Sequence, residues 1–433
     1  MKIGILGAGL TGLTIANHLK KDFEILEKNE CVGGLCRSFS EKRYTWDIGG
    51  HILYSRDKKL LNEMLSFLGK NKVKGVRNNK IFFKGRFVKY PFENGLSELP
   101  EEDNKECLDK FLNNPMSKIK PTNFTQWMYK MFGDGITEKY LLPYNEKIWN
   151  FPPHQMSCHW VEGRVPKPPK IDIINSSKGI KTEGYKEQIN FIYPKKGGIA
   201  ALISAMHKKV KKKIVKFEAR LIRKVNKRWL IINKSKTRVY DKIISTIPLS
   251  ELISMLQEVP LNVRIAADSL KYNSLALVAL GYKMDPKNKK DFTAIYFPQK
   301  EFLFNRLCFM ENFSPQNVPF KNRSLITAEI TYKKGSAVDK YFNDINLKNK
   351  IIRDLDKLGI ADKNDLDFCS VKRFNHAYII YDKDYQYNIK VIKDYLRKKG
   401  IYICGRFGQW EYWNMDKVYE EAKKLAQRLN RKV

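Results

Sequence analysis

The sequence is short of long apolar runs, and this absence bears on where the protein is located. Its most continuous apolar stretch, residues 275–280, is far below the roughly 20 residues that a membrane-spanning helix needs. The apolar start of the chain leads into a glycine-rich turn and not into the small-residue cleavage site of a signal peptide. We therefore expect a cytoplasmic protein. A chain of 433 residues without internal repeats or Pro- and Ser-rich linkers predicts two or three interleaved domains.

Cysteine is also scarce, and its spacing excludes two kinds of site. The seven cysteines are scattered along the chain. An odd number in a chain of this length argues against a disulfide framework and for a reducing compartment. Cys31 and Cys36 are separated by four residues, but no second pair follows them. Since a zinc site needs about four ligands, we expect no metal in this protein.

Acidic residues are outnumbered, with 46 Asp and Glu against 81 Lys and Arg, which gives a net charge of +35. A field of this size attracts polyanions such as nucleic acids, anionic membranes and phosphorylated substrates. The lysines are spread over the whole chain, which is typical of a solvated surface, and no nucleic-acid-binding motif accompanies them. We therefore interpret the charge as a lysine-rich solvated surface, which is compatible with peripheral contact to the inner face of an anionic membrane. It indicates no oligomeric state.

The N-terminal segment contains a glycine-rich turn between a strand pattern and a helix pattern, and then a second strand pattern that ends in Glu27. Gly7, Gly9 and Gly12 have the GxGxxG spacing, and Glu27 follows Gly7 by 20 positions. In such a unit the glycines allow a tight turn, close approach to a pyrophosphate, and close packing of helix on strand. The helix N-terminus favours phosphate, and the acid accepts hydrogen bonds from the adenosine ribose. The segment predicts a dinucleotide site formed by Gly7, Gly9, Leu10, Thr11, Gly12, Glu27 and Lys28.

Two further glycine pairs follow, and they decide between FAD and NAD as the cofactor. Gly33 and Gly34 precede Leu35 and Arg37, and residues 46–51 read Trp-Asp-Ile-Gly-Gly-His. This order resembles the FAD-dependent superfamily of amine oxidases, protoporphyrinogen oxidases, phytoene desaturases and UDP-galactopyranose mutases. The resemblance implies that the first pair reaches the FAD diphosphate, that Arg37 neutralises phosphate, and that the second pair approaches the flavin ring. The cofactor residues implied here are Gly33, Gly34, Leu35, Arg37, Gly49, Gly50 and His51.

Two later segments complete the resemblance to this superfamily. Gly197 and Gly198 precede a helix pattern, and residues 242–249 then return the chain to the nucleotide domain. A last strand pattern reaches Gly405 and Arg406 before a final helix. The resemblance implies an α/β fold with a Rossmann-type, GR2-like FAD-binding domain assembled from three sequence pieces and an inserted α+β substrate domain. The last cofactor residues are Gly405, Arg406, Asn414 and Met415. The predicted boundaries are 1–68, 191–255 and 396–433 for the FAD-binding domain, 69–190 for a helical part of the substrate domain, and 256–395 for its sheet.

Within this superfamily, short segments across most of the chain resemble the UDP-galactopyranose mutases. They are GHILYSRD at 50–57, YPFEN at 90–94, YNEKIW at 144–149, RVP at 164–166 and GRFGQWEYWNMD at 405–416. A sugar diphosphate needs cations in fork geometry, for which arginine is best suited, together with aromatic faces for sugar and base. The substrate-binding residues implied are Tyr144, Trp149, Arg164, Arg306, Tyr378 and Tyr412.

The resemblance also implies a mechanism, in which N5 of reduced flavin is the nucleophile at the anomeric carbon of a nucleotide sugar. The sugar ring then opens and recloses through another hydroxyl, so the reaction is redox-neutral although the flavin must first be reduced. NAD(P)H is a candidate reductant. The residues closest to this chemistry would be Arg306, Arg406 and His51. Such an enzyme would serve the synthesis of a cell-surface polysaccharide.

Three departures from the mutase pattern keep a second function open. Pro168 stands where the mutases have a second diphosphate arginine, Asn414 stands where they have an aspartate, and residues 377–382 look more like the oxidases and desaturases. The alternative is an FAD-dependent oxidoreductase that removes hydride from a small or polyprenyl-linked substrate. Converging arginines in the pocket would favour a diphosphate, whereas an apolar tunnel or an aromatic cage would favour an oxidase. A non-enzymatic polyanion-binding protein is a third hypothesis.

Overall fold

The computed structural model describes residues 1–161, 168–184, 189–340 and 342–431. A five-stranded parallel sheet joins strands from three distant parts of the chain. In spatial order they are Tyr402–Ile403, Lys242–Ser245, Lys2–Leu6, Asp22–Glu27 and Ile214–Lys216. The predicted α/β fold with a Rossmann-type domain built from three sequence pieces is confirmed.

Both faces of the parallel sheet are covered, which explains why its strands are apolar without alternation. On one face Ile3, Ile5 and Ile244 pack against the helices Leu10–His18, Ala200–Val210 and Met415–Arg431. On the other face lie three helices and an antiparallel three-stranded sheet. They are Leu249–Met255, Leu261–Asp268 and Tyr385–Lys399, and Leu221–Val225, Arg228–Ile232 and Thr237–Tyr240.

A seven-stranded, mostly antiparallel sheet forms the second layer of the molecule. Its strand order is Leu366–Ile379, Tyr272–Lys283, Arg323–Tyr332, Arg306–Phe309, Ala294–Tyr296, Asn79–Phe83 and Arg86–Lys89. One face packs on the helix Asp344–Lys357. The other face shares its core with a group of helices, Glu101–Leu112, Phe124–Ile136 and Leu142–Trp149. Residues Arg306, Tyr296 and Glu329 lie side by side in the strand register on this second face.

The remaining elements connect the two sheets. Two-stranded ladders pair Ser38–Glu41 with Tyr44–Asp47 and Val73–Val76 with Asn190–Tyr193. The other helices are Lys58–Ser66, Lys170–Ser177, Ala337–Lys340 and the π-helical segment Thr137–Leu141. No helix within the described ranges is both long and apolar enough to cross a membrane.

The predicted domain boundaries stay a prediction, but packing divides the chain differently at two points. The helices Leu261–Asp268 and Tyr385–Lys399, which the sequence analysis gives to the substrate domain, share a core with Leu6, Leu26 and Ile243 of the parallel sheet. Their apolar faces cover that sheet, so they belong physically to the FAD-binding layer. Periodicity in the sequence identifies a helix but not the sheet on which it packs.

Candidate active site

A cavity of about 1040 Å³ lies between the two layers and contains most of the predicted site residues. One end is at the carboxyl ends of the parallel strands, where Gly7, Glu27 and Thr246 line it. The wall opposite comes from the seven-stranded sheet through Arg306 and Glu329. A crevice outside the carboxyl ends of parallel strands is where open α/β sheets bind their ligands.

The first glycine turn has a geometry that other residues would break. Gly7 has φ +95°, a left-handed conformation that favours glycine. A Cβ on Gly12 would lie 2.0 Å from the carbonyl oxygen of Gly7, so the helix Leu10–His18 can approach its strand only with glycine here. The buried Glu27 accepts a hydrogen bond of 2.8 Å from the amide of Ala8, which ties the acid to the turn. The turn therefore presents backbone amides and the N-terminus of a helix to the cavity.

The second glycine pair forms a loop that lies against the first turn. The Gly33 amide donates a hydrogen bond of 2.8 Å to Ala8, and φ is +116° at Gly33 and +57° at Gly34. A Cβ on Gly9 would come within 3.9 Å of the Gly34 Cα, so the two glycine-rich segments face each other closely. Arg37 donates from Nε to the Gly34 carbonyl at 2.8 Å and keeps the rest of its guanidinium beside the loop. Two facing glycine-rich segments, a helix N-terminus and an arginine make this cradle suited to a diphosphate.

The C-terminal segment closes the same end of the cavity. Gly405 has φ +92°, and a Cβ there would lie 2.3 Å from the Thr11 hydroxyl, so it packs behind the first turn. Asn414 lines the cavity and donates from its amide to the Tyr54 hydroxyl at 2.7 Å. Lys28 forms an ion pair of 3.4 Å with Glu251, and both residues line the cavity. Residues from three distant parts of the chain therefore meet around one elongated site.

The turn formed by Gly49, Gly50 and His51 is called the central turn. Two buried polar atoms beside this turn lack hydrogen-bond partners among the described residues. They are Nδ1 of His51 and Nε of Arg406. Burial and the positive charge of Arg406 lower the pKa of His51 to about 4, so its imidazole is neutral at neutral pH. Buried polar groups nearly always have hydrogen-bond partners. These two atoms therefore indicate a ligand with a polar ring system beside them. The glycine cradle and these unused groups fit FAD.

Arg306 is not a free cation. Its Nε and Nη2 donate to the two carboxylate oxygens of Glu329 at 2.8 and 2.7 Å, in the bidentate geometry of strong pairs. The Glu329 side chain is 1% exposed, whereas Arg306 keeps 20% exposure toward the cavity. A Cβ on Gly49 would lie 3.4 Å from the Glu329 carboxylate, so the pair lies directly under the turn before His51. The two charges largely neutralise each other, which the prediction of Arg306 as a diphosphate ligand did not include.

Three aromatic rings and Arg406 form a compact cluster in the middle of the cavity. Trp149 meets Tyr378 edge-on with ring centroids 6.2 Å apart and Tyr412 with centroids 6.0 Å apart. The guanidinium of Arg406 lies 4.0 Å from the centroid of Tyr412 and donates at 2.7 Å to the carbonyl of Ala377. Cation–π contact at this distance fixes both groups. The cluster offers flat faces and phenol hydroxyls next to the central turn.

A second run of stacked rings continues from Arg306 toward the helical end of the cavity. Tyr296 lies 6.0 Å from the Arg306 guanidinium and packs against Tyr144 with centroids 5.6 Å apart. Tyr144 stacks in turn on Tyr140 at 5.4 Å. Burial raises the pKa of Tyr144 well above its usual value, so its hydroxyl is a neutral hydrogen-bonding group. The far end of the cavity is therefore predominantly aromatic.

The structure places nearly all of the predicted site residues in this one cavity. Gly12 and Gly405 lie one layer behind its lining. Arg164 lies outside the described residues. The predicted residues that line the cavity are Gly7, Gly9, Leu10, Thr11, Glu27, Lys28, Gly33, Gly34, Leu35, Arg37, Gly49, Gly50, His51, Tyr144, Trp149, Arg306, Tyr378, Arg406, Tyr412, Asn414 and Met415.

Among the acids that line this cavity, sequence reasoning missed the two buried ones without a predicted role, Glu329 and Glu93. Glu329 is the single charged residue in the buried strand Arg323–Tyr332 after its first position, and this is a signal that could have identified it. Glu93 lies in the segment 90–94, which was recognised as a motif without a role for its acid.

Comparisons with known proteins agree with this geometry. Residues 175–430 match the family model described as flavin containing amine oxidoreductase, and residues 5–68 match an NAD(P)-binding Rossmann-like domain. The chain belongs to the flavin-containing amine oxidoreductase family. The predicted FAD-dependent superfamily and the enzyme class of FAD-dependent isomerase or oxidoreductase are thereby confirmed.

Solved structures with the same fold cover almost the whole chain. A crystal structure of reduced UDP-galactopyranose mutase is 28% identical, with a TM-score of 0.90 over 99% of this chain and 95% of that chain. A putative protoporphyrinogen oxidase from Exiguobacterium sp. 255-15 is 17% identical, with a TM-score of 0.77 over 99% and 98% of the two chains. The cyclohexylamine oxidase of Brevibacterium oxydans IH-35A is 12% identical, with a TM-score of 0.69 over 99% of each. The last two identities are low and show the fold alone.

A curated relative matches a small part of the chain. It is an uncharacterized protein in the nifH2 3' region of Methanothermococcus thermolithotrophicus, 42% identical over 69 residues. The match covers 15% of this chain and 67% of that protein.

Proposed function

We propose that this protein is a flavin-dependent mutase that isomerises a nucleotide-diphosphate sugar. The observation that carries the proposal is the likeness to reduced UDP-galactopyranose mutase, which extends over both sheets and the helical part at a TM-score of 0.90. The cavity supports it independently, because aromatic faces, phenol hydroxyls and arginines line its central and far parts. These are the groups that bind sugars and phosphates.

The residues of the chain would divide the work between two ends of the cavity. The glycine cradle and Glu27 would hold the dinucleotide, and the neutral His51 and the unused Nε of Arg406 would face the flavin ring. Reduced FAD supplies a nucleophilic ring nitrogen that the side chains of a protein cannot provide. The chain would keep the sugar against that nitrogen and exclude water from it.

Substrate orientation would depend on the central aromatic cluster. Trp149 and Tyr412 present ring faces for a sugar, and Arg406 is held against Tyr412 with one N–H still without an acceptor. Arg306 adds hydrogen-bond donors more than net charge, since Glu329 neutralises it. Stabilisation of a leaving diphosphate would therefore come from several arginines acting together, among which Arg77 and Arg406 also line the cavity.

A true oxidoreductase is the second candidate, and one observation favours it. Trp149, Tyr378 and Tyr412 form an aromatic cage beside the central turn, and the charge of Arg306 in the same cavity is paired with Glu329. A substrate without a phosphate group, such as an amine, fits such a cage. The family description, flavin containing amine oxidoreductase, is compatible with this candidate.

An anaerobic assay separates the two candidates. The FAD-loaded protein is incubated with UDP-galactopyranose in its oxidised form and after reduction with dithionite, and the products are separated by chromatography. The mutase proposal predicts the furanose isomer with reduced protein only. If neither form gives an isomer while an amine substrate bleaches the oxidised flavin, the proposal is wrong and the oxidoreductase is supported. NAD(P)H in place of dithionite tests whether it can serve as the reductant.

A further inference from the structure

Glu93 is a buried acid in the lining of the cavity, away from the glycine cradle. It lies in the short 3-10 turn Phe92–Asn94 and is only 3% exposed. Its neighbours in sequence hold it in place, because Tyr90 stacks on Tyr296 with centroids 4.4 Å apart and Phe92 stacks on Tyr140 at 5.1 Å. Aromatic contacts therefore hold the chain on both sides of Glu93.

These contacts connect Glu93 to the predicted substrate residues. Tyr296 and Tyr140 both pack against Tyr144, with centroids 5.6 and 5.4 Å apart, which closes a ring of aromatic contacts beside the acid. Tyr296 also lies 6.0 Å from the guanidinium of Arg306. Glu93, Tyr140 and Tyr144 line the same cavity as Arg306, so one ligand can contact all of them.

The groups around Glu93 compensate little of the hydration that its carboxylate loses on burial. Among the described residues, its own backbone amide is the hydrogen-bond donor that acts on it, and Glu183 is the charge that acts on it, with the same sign. Glu183 is itself 3.4 Å from Lys89, while Arg77 and Tyr140 line the same cavity. Burial is the main cause that raises the pKa of Glu93 to about 7. A buried carboxylate with so few partners is stabilised when a ligand donates a hydrogen bond to it or when it takes up a proton.

We propose that Glu93 determines substrate specificity by forming a hydrogen bond to the ligand, and that an anionic nucleotide sugar binds to its protonated form. The second part rests on the proposed function, because it takes the ligand to be a sugar diphosphate. Repulsion between an ionised Glu93 and the diphosphate makes binding and protonation mutually favourable. Hydrocarbon substrates without polar groups are excluded, since they would leave the acid unsatisfied in a dry site.

The sign of the pH effect follows from linkage. Below neutral pH, Glu93 already carries its proton and binding leaves the proton count unchanged. Above neutral pH, Glu93 takes up as much as one proton when a ligand binds. The affinity then falls by up to about tenfold for each unit by which the pH rises. Two quantities can therefore be measured, the number of protons taken up per ligand bound and the slope of the affinity against pH.

Isothermal titration calorimetry on the oxidised, FAD-loaded protein tests this without catalysis. UDP-galactopyranose is the probe, because its diphosphate is esterified at both ends and its uracil ring keeps its proton, so that its charge is constant from about pH 6 to 8. Buffers with different ionisation enthalpies give the number of protons taken up. Wild type is expected to take up about one proton at the alkaline end and to lose at least about tenfold in affinity across the range. Glu93→Gln should show no uptake and constant affinity, whereas Glu93→Ala should bind about fivefold more weakly at low pH.

Glu102→Gln is the matched control, since it removes the same charge from an exposed position and should behave as wild type. Retained flavin absorbance shows that each variant is folded. If UDP-galactopyranose binds but proton uptake is the same in wild type and Glu93→Gln, the inference is overturned and the proposed function stands. If neither protein binds the sugar nucleotide at any pH, both the inference and the proposed function fail.

Discussion

The Arg306–Glu329 pair allows a prediction whose size follows from its burial. The Glu329 side chain is 1% exposed, and its two oxygens both accept hydrogen bonds from Arg306. Arg306→Met keeps the apolar stem of the side chain but leaves that carboxylate without a cation. Breaking a buried pair in this way costs about 3–5 kcal/mol, because the remaining charge has lost its solvent and its partner. For a chain of 433 residues, an entropy of unfolding of about 2.1 cal/mol/K per residue converts this into a loss of about 3–6 °C in Tm.

The loss of stability should differ between substitution of Arg306 and substitution of Glu329. Glu329→Gln leaves Arg306 with 20% exposure to the cavity, where water can solvate it, so this variant should lose less stability than Arg306→Met. The double variant should recover most of the loss, since no buried charge remains.

Thermal unfolding of the four proteins, followed by circular dichroism, measures these effects. Lys105→Met is a suitable control because its ion pair with Glu101 is exposed, and no shift in Tm is expected from it. Equal destabilisation by Arg306→Met and Glu329→Gln would refute the reasoning. So would a double variant that is as unstable as the sum of the two single variants.

Three further predictions concern the cofactor, the buried acid and the aromatic cluster. Gly12→Ala should give protein with little bound flavin, measured as absorbance per chain, because its Cβ would lie 2.0 Å from the oxygen of Gly7. Since burial raises the pKa of Glu93 from 4.5 to about 7, protonation of Glu93 contributes about 3 kcal/mol of stability at low pH, and this contribution should be lost as the pH rises from about 4.5 to about 7. Glu93→Gln should remove this dependence in denaturant titrations, and an unchanged slope would contradict the prediction. Tyr412→Ala should weaken binding of UDP by about tenfold through the loss of its contact with Arg406, whereas Tyr412→Phe should stay within about threefold in the same titration.

The cofactor end of the molecule was predictable because its information is local. Gly7, Gly12 and Glu27 all belong to one strand–helix–strand unit, and the spacing alone fixes which of them meet. The α/β class followed from the same unit, and the assembly of the domain from three sequence pieces followed from the resemblance to the FAD-dependent superfamily. No long-range pairing had to be known for either inference.

The substrate end was less predictable because its geometry depends on strand register. Arg306 and Glu329 are 23 positions apart and become partners only when their two strands pair antiparallel. Glu93 requires contacts to Tyr296, more than 200 positions away, through its neighbour Tyr90. The sequence shows which residue types are present. It does not show that Arg306 is neutralised by Glu329, nor that Glu93 is buried. The role of Arg164 stays a prediction.

The most direct test of the proposed isomerisation is a count of product molecules per electron pair. The protein is reduced once with dithionite under strictly anaerobic conditions, excess reductant is removed, and UDP-galactopyranose is added. A redox-neutral mutase predicts many furanose molecules per flavin while the flavin spectrum stays reduced throughout. No furanose product, together with substrate-dependent reduction of the oxidised protein by an amine or another hydride donor, would contradict the proposed function.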